Sequence, residues 1–169
     1  MANHSYMRIT GTKSGLISAR CSTPESIGNL CQAGHTDQIL VLSMTHTMTS
    51  VSNVSSAVHN PFVIHKLLDK ASPLLAKALT DREEIECEID LYRRAGSFDQ
   101  KYYTVLLKGA RVVSVTLNIP DVLMFNDAQA TEQLVLRYSS ITWTHHIATT
   151  TSFAFSGWRN EHPTFVLPA

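Results

Sequence analysis

Alternation of apolar and polar residues is the strongest structural signal along this chain. Over residues 84–91 the odd positions are apolar and the even positions are acidic. A strict period of two is typical of a β-strand with one face on a core and the other in solvent or against a basic partner. Residues 112–119 alternate in a similar way, and a polar turn around Gly96 joins 84–94 to 101–108 as a predicted hairpin.

The alternation changes parity near the C-terminus. Leu134, Leu136 and Tyr138 occupy even positions, whereas Ile141 and Trp143 occupy odd positions. Because side chains on a strand alternate with a period of two, an extra residue between the two groups must be absorbed by a β-bulge or a break. Bulges let strands bend around a barrel, so the pattern predicts a closed β-barrel of two packed antiparallel sheets.

One short α-helix is predicted to flank this barrel. Ser72 fits the N-cap position because its hydroxyl can accept a bond from an unpartnered backbone N–H, and Pro73 fits the first helical position. Leu75 and Leu79 lie four residues apart and give the helix an apolar face. The chain is therefore predicted to be mainly β, with residues 1–169 forming a single domain.

Residues 37–47 read as a strand that is apolar on both faces where it starts. Leu40, Leu42 and Met44 are predicted to face the core, and Ile39 and Val41 the opposite side. A strand covered on both sides in a small domain indicates a contact with another subunit or an intrachain helix. The Ser-rich segment 48–60 that follows is too long for a tight turn, and loops of this length are usually functional or mobile.

Composition narrows the classes of function. Hydrophobic content of 44% and charged content of 17% are typical of a globular protein, and 14 basic residues balance 14 acidic ones. The absence of a basic excess disfavours nucleic-acid binding. No apolar run approaches the roughly 20 residues that span a bilayer, so membrane insertion is not expected. The N-terminus has no basic region followed by an apolar run, so we expect a cytoplasmic protein without a cleaved signal peptide.

The end of the chain, residues 148–169, can add one more strand. Its last ten residues are expected to be poorly ordered.

Candidate catalytic and metal-binding motifs are weak. Residues 11–15 lack the second glycine of a phosphate-binding loop and are better interpreted as a hairpin turn. The acidic row at 84–90 lacks environments that would separate the pKa values of two carboxylates, so no enzyme activity is predicted. An odd cysteine count argues against a disulfide framework, and Cys87 is expected in the core. No Cys-x-x-Cys pair is present, so we predict no metal and no cofactor on the possible ligands Cys21, Cys31, His35, His145 and His146.

Three segments together resemble a known family. They are Ser26-Ile-Gly-Asn-Leu-Cys-Gln-Ala-Gly-His35, Asp69-Lys-Ala-Ser-Pro-Leu-Leu75 and Tyr138-Ser-Ser-Ile-Thr-Trp143. In this order they are similar to the Hcp proteins, the tube-forming subunits of the bacterial type VI secretion system, over about residues 5–148. Ala71 stands where Ser or Thr is commoner in that family, and the tail beyond about 149 does not match strongly.

The resemblance implies a β-barrel that assembles into homohexameric rings, which stack into a hollow tube carrying effector proteins. Sheath contraction expels the tube, so the implied partners are sheath, spike and baseplate proteins, with secretion that needs no cleaved signal peptide. The implied ring-stacking residues lie in segment 48–60 and are Thr49, Ser50, Asn53, Ser55 and His59. The implied lumen-facing residues are Ser43, Thr45 and Thr47. A monomeric β-barrel binding module for a peptide or small ligand remains the alternative.

Overall fold

The computed structural model describes residues 3–53 and 55–157 and is mainly β. Its two helices are α1 (Pro24–Ile27) and α2 (Ser72–Thr80). The strands of the described residues are β1 (Ser5–Gly11), β2 (Gly15–Leu16), β3 (Ile39–Thr45), β4 (Met48–Thr49), β5 (Val58–His59), β6 (Phe62–Leu67), β7 (Ile85–Ala95), β8 (Phe98–Asn118), β9 (Thr131–Arg137), β10 (Ser140–His145) and β11 (Thr150–Phe155). The single-turn helix α1, which begins at a proline, was not predicted.

Six strands close into a barrel. Their pairing runs β1, β3, β6, β9, β8, β7 and back to β1, and every pairing is antiparallel. Apolar side chains from all six strands fill the interior, among them Met7, Ile39, Ile64, Ile89, Leu107 and Leu134. The predicted closed antiparallel barrel is therefore confirmed, and its opposing walls pack across a filled core.

Strand β8 pairs with two different strands along one of its edges. Its residues 111–118 pair with β9 and its residues 103–108 pair with β10. Gly109 lies between these stretches with φ at +58°, in the left-handed region, and the register with β7 shifts beside it. The bend lets one long strand contribute to the barrel wall and to the β10–β11 extension.

The predicted break near the C-terminus is confirmed. Strand β9 ends at Arg137 and β10 begins at Ser140, so two residues separate the even-numbered and odd-numbered core positions. Strand β11 pairs with the outer edge of β10, which confirms that the C-terminal segment adds a strand. The last ten residues of the chain, expected to be poorly ordered, fall outside the described residues.

Up to the bulged residue Leu42, the faces of β3 are the reverse of those predicted. Ile39 and Val41 are buried in the core, whereas Leu42 is 48% exposed on the outside. The pairing of β3 with β6 shifts register between Val41 and Ser43, so Leu42 is the extra residue of a β-bulge. After the bulge Met44 packs against the core. The prediction that Leu40 and Leu42 face the core was wrong because the bulge changes the parity of the strand.

Helix α2 begins at Ser72, so the prediction of Ser72 as its N-cap was wrong. The capping position is occupied by Ala71, and no side chain caps the helix there. The Ser72 hydroxyl instead donates to Glu132 at 2.8 Å and accepts from Lys66 at 3.1 Å. Pro73 does lie in the first turn, as predicted.

A buried ion cluster fastens α2 to the barrel. The Lys66 ammonium on β6 lies 2.9 Å from the Asp69 carboxylate and 2.8 Å from the Glu132 carboxylate on β9. Burial raises the pKa of Asp69, while the Lys66 charge and the Ala71 N–H oppose that rise. We call Lys66, Asp69, Ser72 and Glu132 the Lys66 cluster. Removing one charge from it would leave the others buried without compensation.

The apolar face of β7 lies on the core as predicted, whereas the acidic face has both exposed and buried residues. Cys87 is fully buried, as predicted, and Glu86 is exposed. Asp90 is only 3% exposed. Its buried carboxylate is compensated by a hydrogen bond from Thr104 at 2.6 Å and by the Lys101 ammonium 3.7 Å away. The β7–β8 hairpin is confirmed, with a two-residue turn between Ala95 and Phe98.

Residues 11–15 form the predicted hairpin turn between β1 and β2. The backbone N–H groups of Lys13 and Ser14 donate to the buried Glu83 carboxylate, each at 2.7 Å. Burial alone would raise the pKa of Glu83, but the bonds from Ser14 and Lys13 hold it below its ordinary value. A side chain at Gly11 would overlap this carboxylate, so the close approach requires glycine.

Candidate functional site

An arm leaves the barrel between β3 and β6. Met48 pairs with His59 and Thr49 pairs with Val58, so β4 and β5 form a short ladder apart from the main sheet. The Asn60 N–H donates to the Thr47 carbonyl at 3.0 Å and extends the ladder toward the barrel. The segment predicted to be a long loop is therefore a two-stranded hairpin with a broad tip. We call the described residues of this segment, 48–53 and 55–59, the arm.

Three side chains tie the arm to the barrel, and we call them the arm base. They are His46, His59 and Tyr138. The Tyr138 hydroxyl lies 2.6 Å from Nε2 of His46 and 2.7 Å from Nδ1 of His59. The His46 ring also stacks on Phe62, with ring centroids 4.9 Å apart. Tyr138 is 2% exposed and packs in the core. The arm base thus links both ends of the arm to the same buried hydroxyl.

The electrostatics of the arm base favour uncharged rings. Burial lowers the pKa of His46, with a smaller contribution from His59, and burial also lowers the pKa of His59. Burial raises the pKa of Tyr138. A neutral tyrosine has one proton to donate, so its hydroxyl donates to one histidine nitrogen and accepts from an N–H of the other. Because His46 presents Nε2 and His59 presents Nδ1, this arrangement requires the same tautomer in both rings, either Nδ1–H in both or Nε2–H in both.

The predicted stacking residues fall at two places on the arm. Thr49, Ser50, Asn53 and Ser55 are exposed, with Thr49 in the ladder and the others at the tip. His59 instead lies at the arm base, half-buried, with its ring directed to Tyr138. The four exposed residues are available for contact with another molecule, whereas His59 positions the arm.

The predicted lumen-facing residues are exposed on the outer side of the barrel. Ser43 and Thr45 lie opposite His65 and Val63 on β6, after the bulge. Thr47 lies between β3 and β4 and is also exposed. Because the barrel interior is filled, a lumen lined by these residues would have to be enclosed by several copies of the chain.

The sequence did not single out His46 and Tyr138 as arm-base residues. They lie 92 positions apart, so no local pattern joins them. The sequence did contain one indication of the arm base, because one histidine lies just before the Ser-rich segment and another lies near its end. They are His46 and His59.

A second exposed feature is the loop between β8 and β9. We call residues 119–125 the apolar loop, because five of its seven residues are large, apolar and exposed. The exposed fractions are Ile119 68%, Val122 67%, Leu123 93%, Met124 75% and Phe125 58%. Patches of this kind mark interaction sites on soluble proteins.

Metal-binding clusters and membrane-spanning helices are both absent from the described residues. Within residues 3–53 and 55–157, no three His, Cys, Asp or Glu side chains gather where they could hold a metal ion. Cys21 and Cys87 are buried free thiols, and Cys31 is half-buried. In the same part of the chain, no helix has the length and apolar character needed to cross a membrane.

Comparison with known proteins places this chain in a family. Residues 6–145 match the family described as "Type VI secretion system effector, Hcp". The chain belongs to the Hcp family. The Major exported protein of Pseudomonas aeruginosa is 39% identical over 160 residues, spanning 89% of this chain and 93% of that relative.

Solved Hcp structures share the fold. The secreted protein Hcp3 from Pseudomonas aeruginosa matches with a TM-score of 0.81 and 37% identity, over 91% of this chain and 98% of Hcp3. A crystal structure of another Hcp protein matches with a TM-score of 0.86 and 29% identity, over the same shares of the two chains. The resemblance drawn from three sequence segments is thereby confirmed.

Two of the three Hcp-like segments meet in the fold, and the third lies at the arm base. The Ser26 hydroxyl accepts a bond from the Lys70 N–H at 2.9 Å, which joins the first segment to the second. The second segment supplies Asp69 and Ser72 to the Lys66 cluster. The third segment begins with Tyr138 of the arm base. The first two segments hold α2 in place, and the third holds the arm.

Proposed function

We propose that this protein is the tube subunit of a type VI secretion system. Six copies close into a ring, rings stack into a hollow tube, and the tube leaves the cell carrying effector proteins in its lumen. The observation that carries the proposal is membership of the Hcp family over residues 6–145, together with an arm whose described tip residues are exposed. The role is structural and needs no catalytic residue.

The surface of the chain supports repeated self-association. The arm and the apolar loop are different surfaces, and a closed ring or an open stack of rings requires unlike surfaces that meet head to tail. Thr49, Ser50, Asn53 and Ser55 are proposed to contact the next ring, with His59 holding the arm in position. Ser43, Thr45 and Thr47 are proposed to line the lumen.

The proposed partners follow from the tube. They are the sheath around it, the spike and baseplate at its end, and the effectors inside it. Export without a cleaved signal peptide is part of the proposal, and the 39% identical relative that is named a major exported protein supports it.

Electron microscopy of purified protein tests this function. We expect negative-stain images of the wild type to show rings, which stack into tubes at high concentration. Thr49→Arg and Asn53→Arg should keep the rings and shorten the stacks, because a bulky charge at the arm tip opposes close contact between rings. Ala76→Arg, on the exposed side of α2, is the control and should stack normally.

Two results would contradict the proposal. Wild-type images without rings at any concentration would favour the monomeric binding module. Stacks of unchanged length in both arm variants would show that the arm does not contribute to the contact between rings.

A further inference from the structure

The apolar loop and the arm lie at opposite ends of the barrel. Strand β6 starts next to the arm at Phe62 and ends at Leu67. Phe62 pairs with Leu136 on β9, and Leu67 pairs with Thr131, the first residue after the connection that holds the apolar loop. At about 3.3 Å per residue, this pair of strands separates the two features by roughly 20 Å. The two surfaces are therefore too far apart to contact each other within one copy.

The apolar loop is an ordered turn. The Asp121 carboxylate accepts bonds from the N–H groups of Leu123 at 2.9 Å and Met124 at 3.3 Å. The Asp121 carbonyl accepts from Phe125 at 2.8 Å, closing one turn of backbone. These bonds fix the backbone while the apolar side chains remain outside. Pre-organised apolar groups lose less conformational entropy on binding than mobile ones.

The exposed area is large for a monomer. From their exposed fractions, the five apolar residues, backbone included, expose on the order of 700 Å², and the largest apolar patch on a typical monomer is roughly 300–600 Å². A standard protein interface buries about 800 Å² on each partner, so the apolar loop approaches that area by itself. The size and apolar character of the loop indicate an interaction site.

The arm has the chemistry to meet such a surface. Met48, Val51 and Val58 are 38%, 45% and 39% exposed, and they sit among uncharged Ser, Thr and Asn residues. No Lys, Arg, Asp or Glu occurs from residue 48 to residue 59. An uncharged, partly apolar arm can pack on the apolar loop without burying an unpaired charge.

We infer that the apolar loop of one copy is the surface that receives the arm of a second copy in the adjacent ring. This inference rests on the proposed function and adds the missing half of the stacking contact. Because the two surfaces lie at opposite ends of one barrel, each copy uses its arm on one side and its apolar loop on the other. The contact can therefore repeat without limit along a stack of rings.

A charge placed in the apolar loop provides the first test. Leu123→Asp should leave the rings intact and reduce the fraction of protein that sediments as tubes at least about tenfold, because the contact would bury an unpaired carboxylate. Leu123 is 93% exposed, so the substitution does not disturb the core. Ile147→Asp, at a residue 46% exposed in the β10–β11 turn, is the matched control and should form tubes like the wild type.

Cross-linking between copies provides the second test. In chains carrying Cys31→Ser, Val51→Cys protein is mixed with Leu123→Cys protein and treated with a short bismaleimide, and the linked peptides are identified by mass spectrometry. We expect links joining position 51 to position 123, and only under conditions where tubes form.

Failure of this inference differs from failure of the proposed function. Wild-type rings with tubes that persist in Leu123→Asp, or links only between identical positions, would overturn the inference and leave the tube function standing. Loss of the rings in Leu123→Asp would also overturn it, by assigning the apolar loop to contacts within one ring. Wild-type protein without rings would reject the proposed function itself.

Discussion

The Lys66 cluster and the arm base attach two peripheral elements to the same barrel by different chemistry. The Lys66 cluster holds α2 with buried charges, at most 3% exposed, in two ion pairs. The arm base holds the arm with neutral groups that share one hydroxyl. A broken buried ion pair costs far more than a lost neutral hydrogen bond. We therefore regard α2 as a permanent part of the fold and the arm as an element that can open locally.

The largest effect is expected from removing the positive charge of the Lys66 cluster. Lys66→Met leaves Asp69 and Glu132 buried without a counter-charge, which should lower the free energy of unfolding by about 3–5 kcal/mol. Urea denaturation followed by circular dichroism measures this change. Lys77→Met, which breaks an exposed pair with Asp81 on the surface of α2, is the control and should leave the unfolding midpoint unchanged.

An equal loss of stability in both variants would show that the Lys66 cluster is no stronger than a surface ion pair. The contrast between α2 and the arm would then fail.

A smaller effect is expected at the arm base. Tyr138→Phe removes the hydroxyl shared by His46 and His59 while keeping the buried ring, so the free energy of unfolding should fall by only about 1 kcal/mol. Hydrogen exchange should become faster in the arm ladder and stay unchanged in β6 and β9. Tyr102→Phe, on β8, serves as the control. Uniformly faster exchange across the barrel would mean that the arm is not an independent unit.

The smallest effect is a pH dependence confined to the arm. The folded pKa values of His46 and His59 lie below their ordinary value of 6.5, so the unfolded or open state binds protons first as the pH falls. The stability of the arm base is therefore complete above about pH 6.5 and is lost as the pH falls toward the folded pKa values. Hydrogen exchange in the arm ladder, corrected for the intrinsic rate, should accelerate between about pH 7 and pH 5.5. The double variant His46→Gln, His59→Gln should lose this dependence, and its persistence would assign the effect to other groups.

Strands β7 and β9 were predictable because alternate side chains of a regular strand face opposite sides, whereas on β8 the alternation misassigned Val113 and Leu117, which are exposed. Cys87, Leu134 and Leu136 are buried as the alternation predicted. On β3 the same reasoning failed, because one bulged residue, Leu42, reverses the faces and leaves no mark in the sequence. Ser72 was misassigned since its hydroxyl binds Lys66 and Glu132, and only tertiary structure brings Glu132 near it.

The candidate site was less predictable than the fold. The arm segment was found from its length and composition, but its ladder and the bonds at Tyr138 depend on contacts between distant residues. The apolar loop can be recognised as an interaction surface only when the exposure of its side chains is known. In the sequence alone, five apolar residues in seven are equally typical of a core segment.

The mass of the wild-type protein in solution tests the central claim most directly. Size-exclusion chromatography with light scattering, over a range of protein concentrations, measures it without labels or variants. A ring of six predicts a species at six times the 18.7 kDa monomer mass. When rings stack, larger species should appear at whole multiples of the ring mass. A mass that stays at 18.7 kDa at the highest concentration would contradict the account.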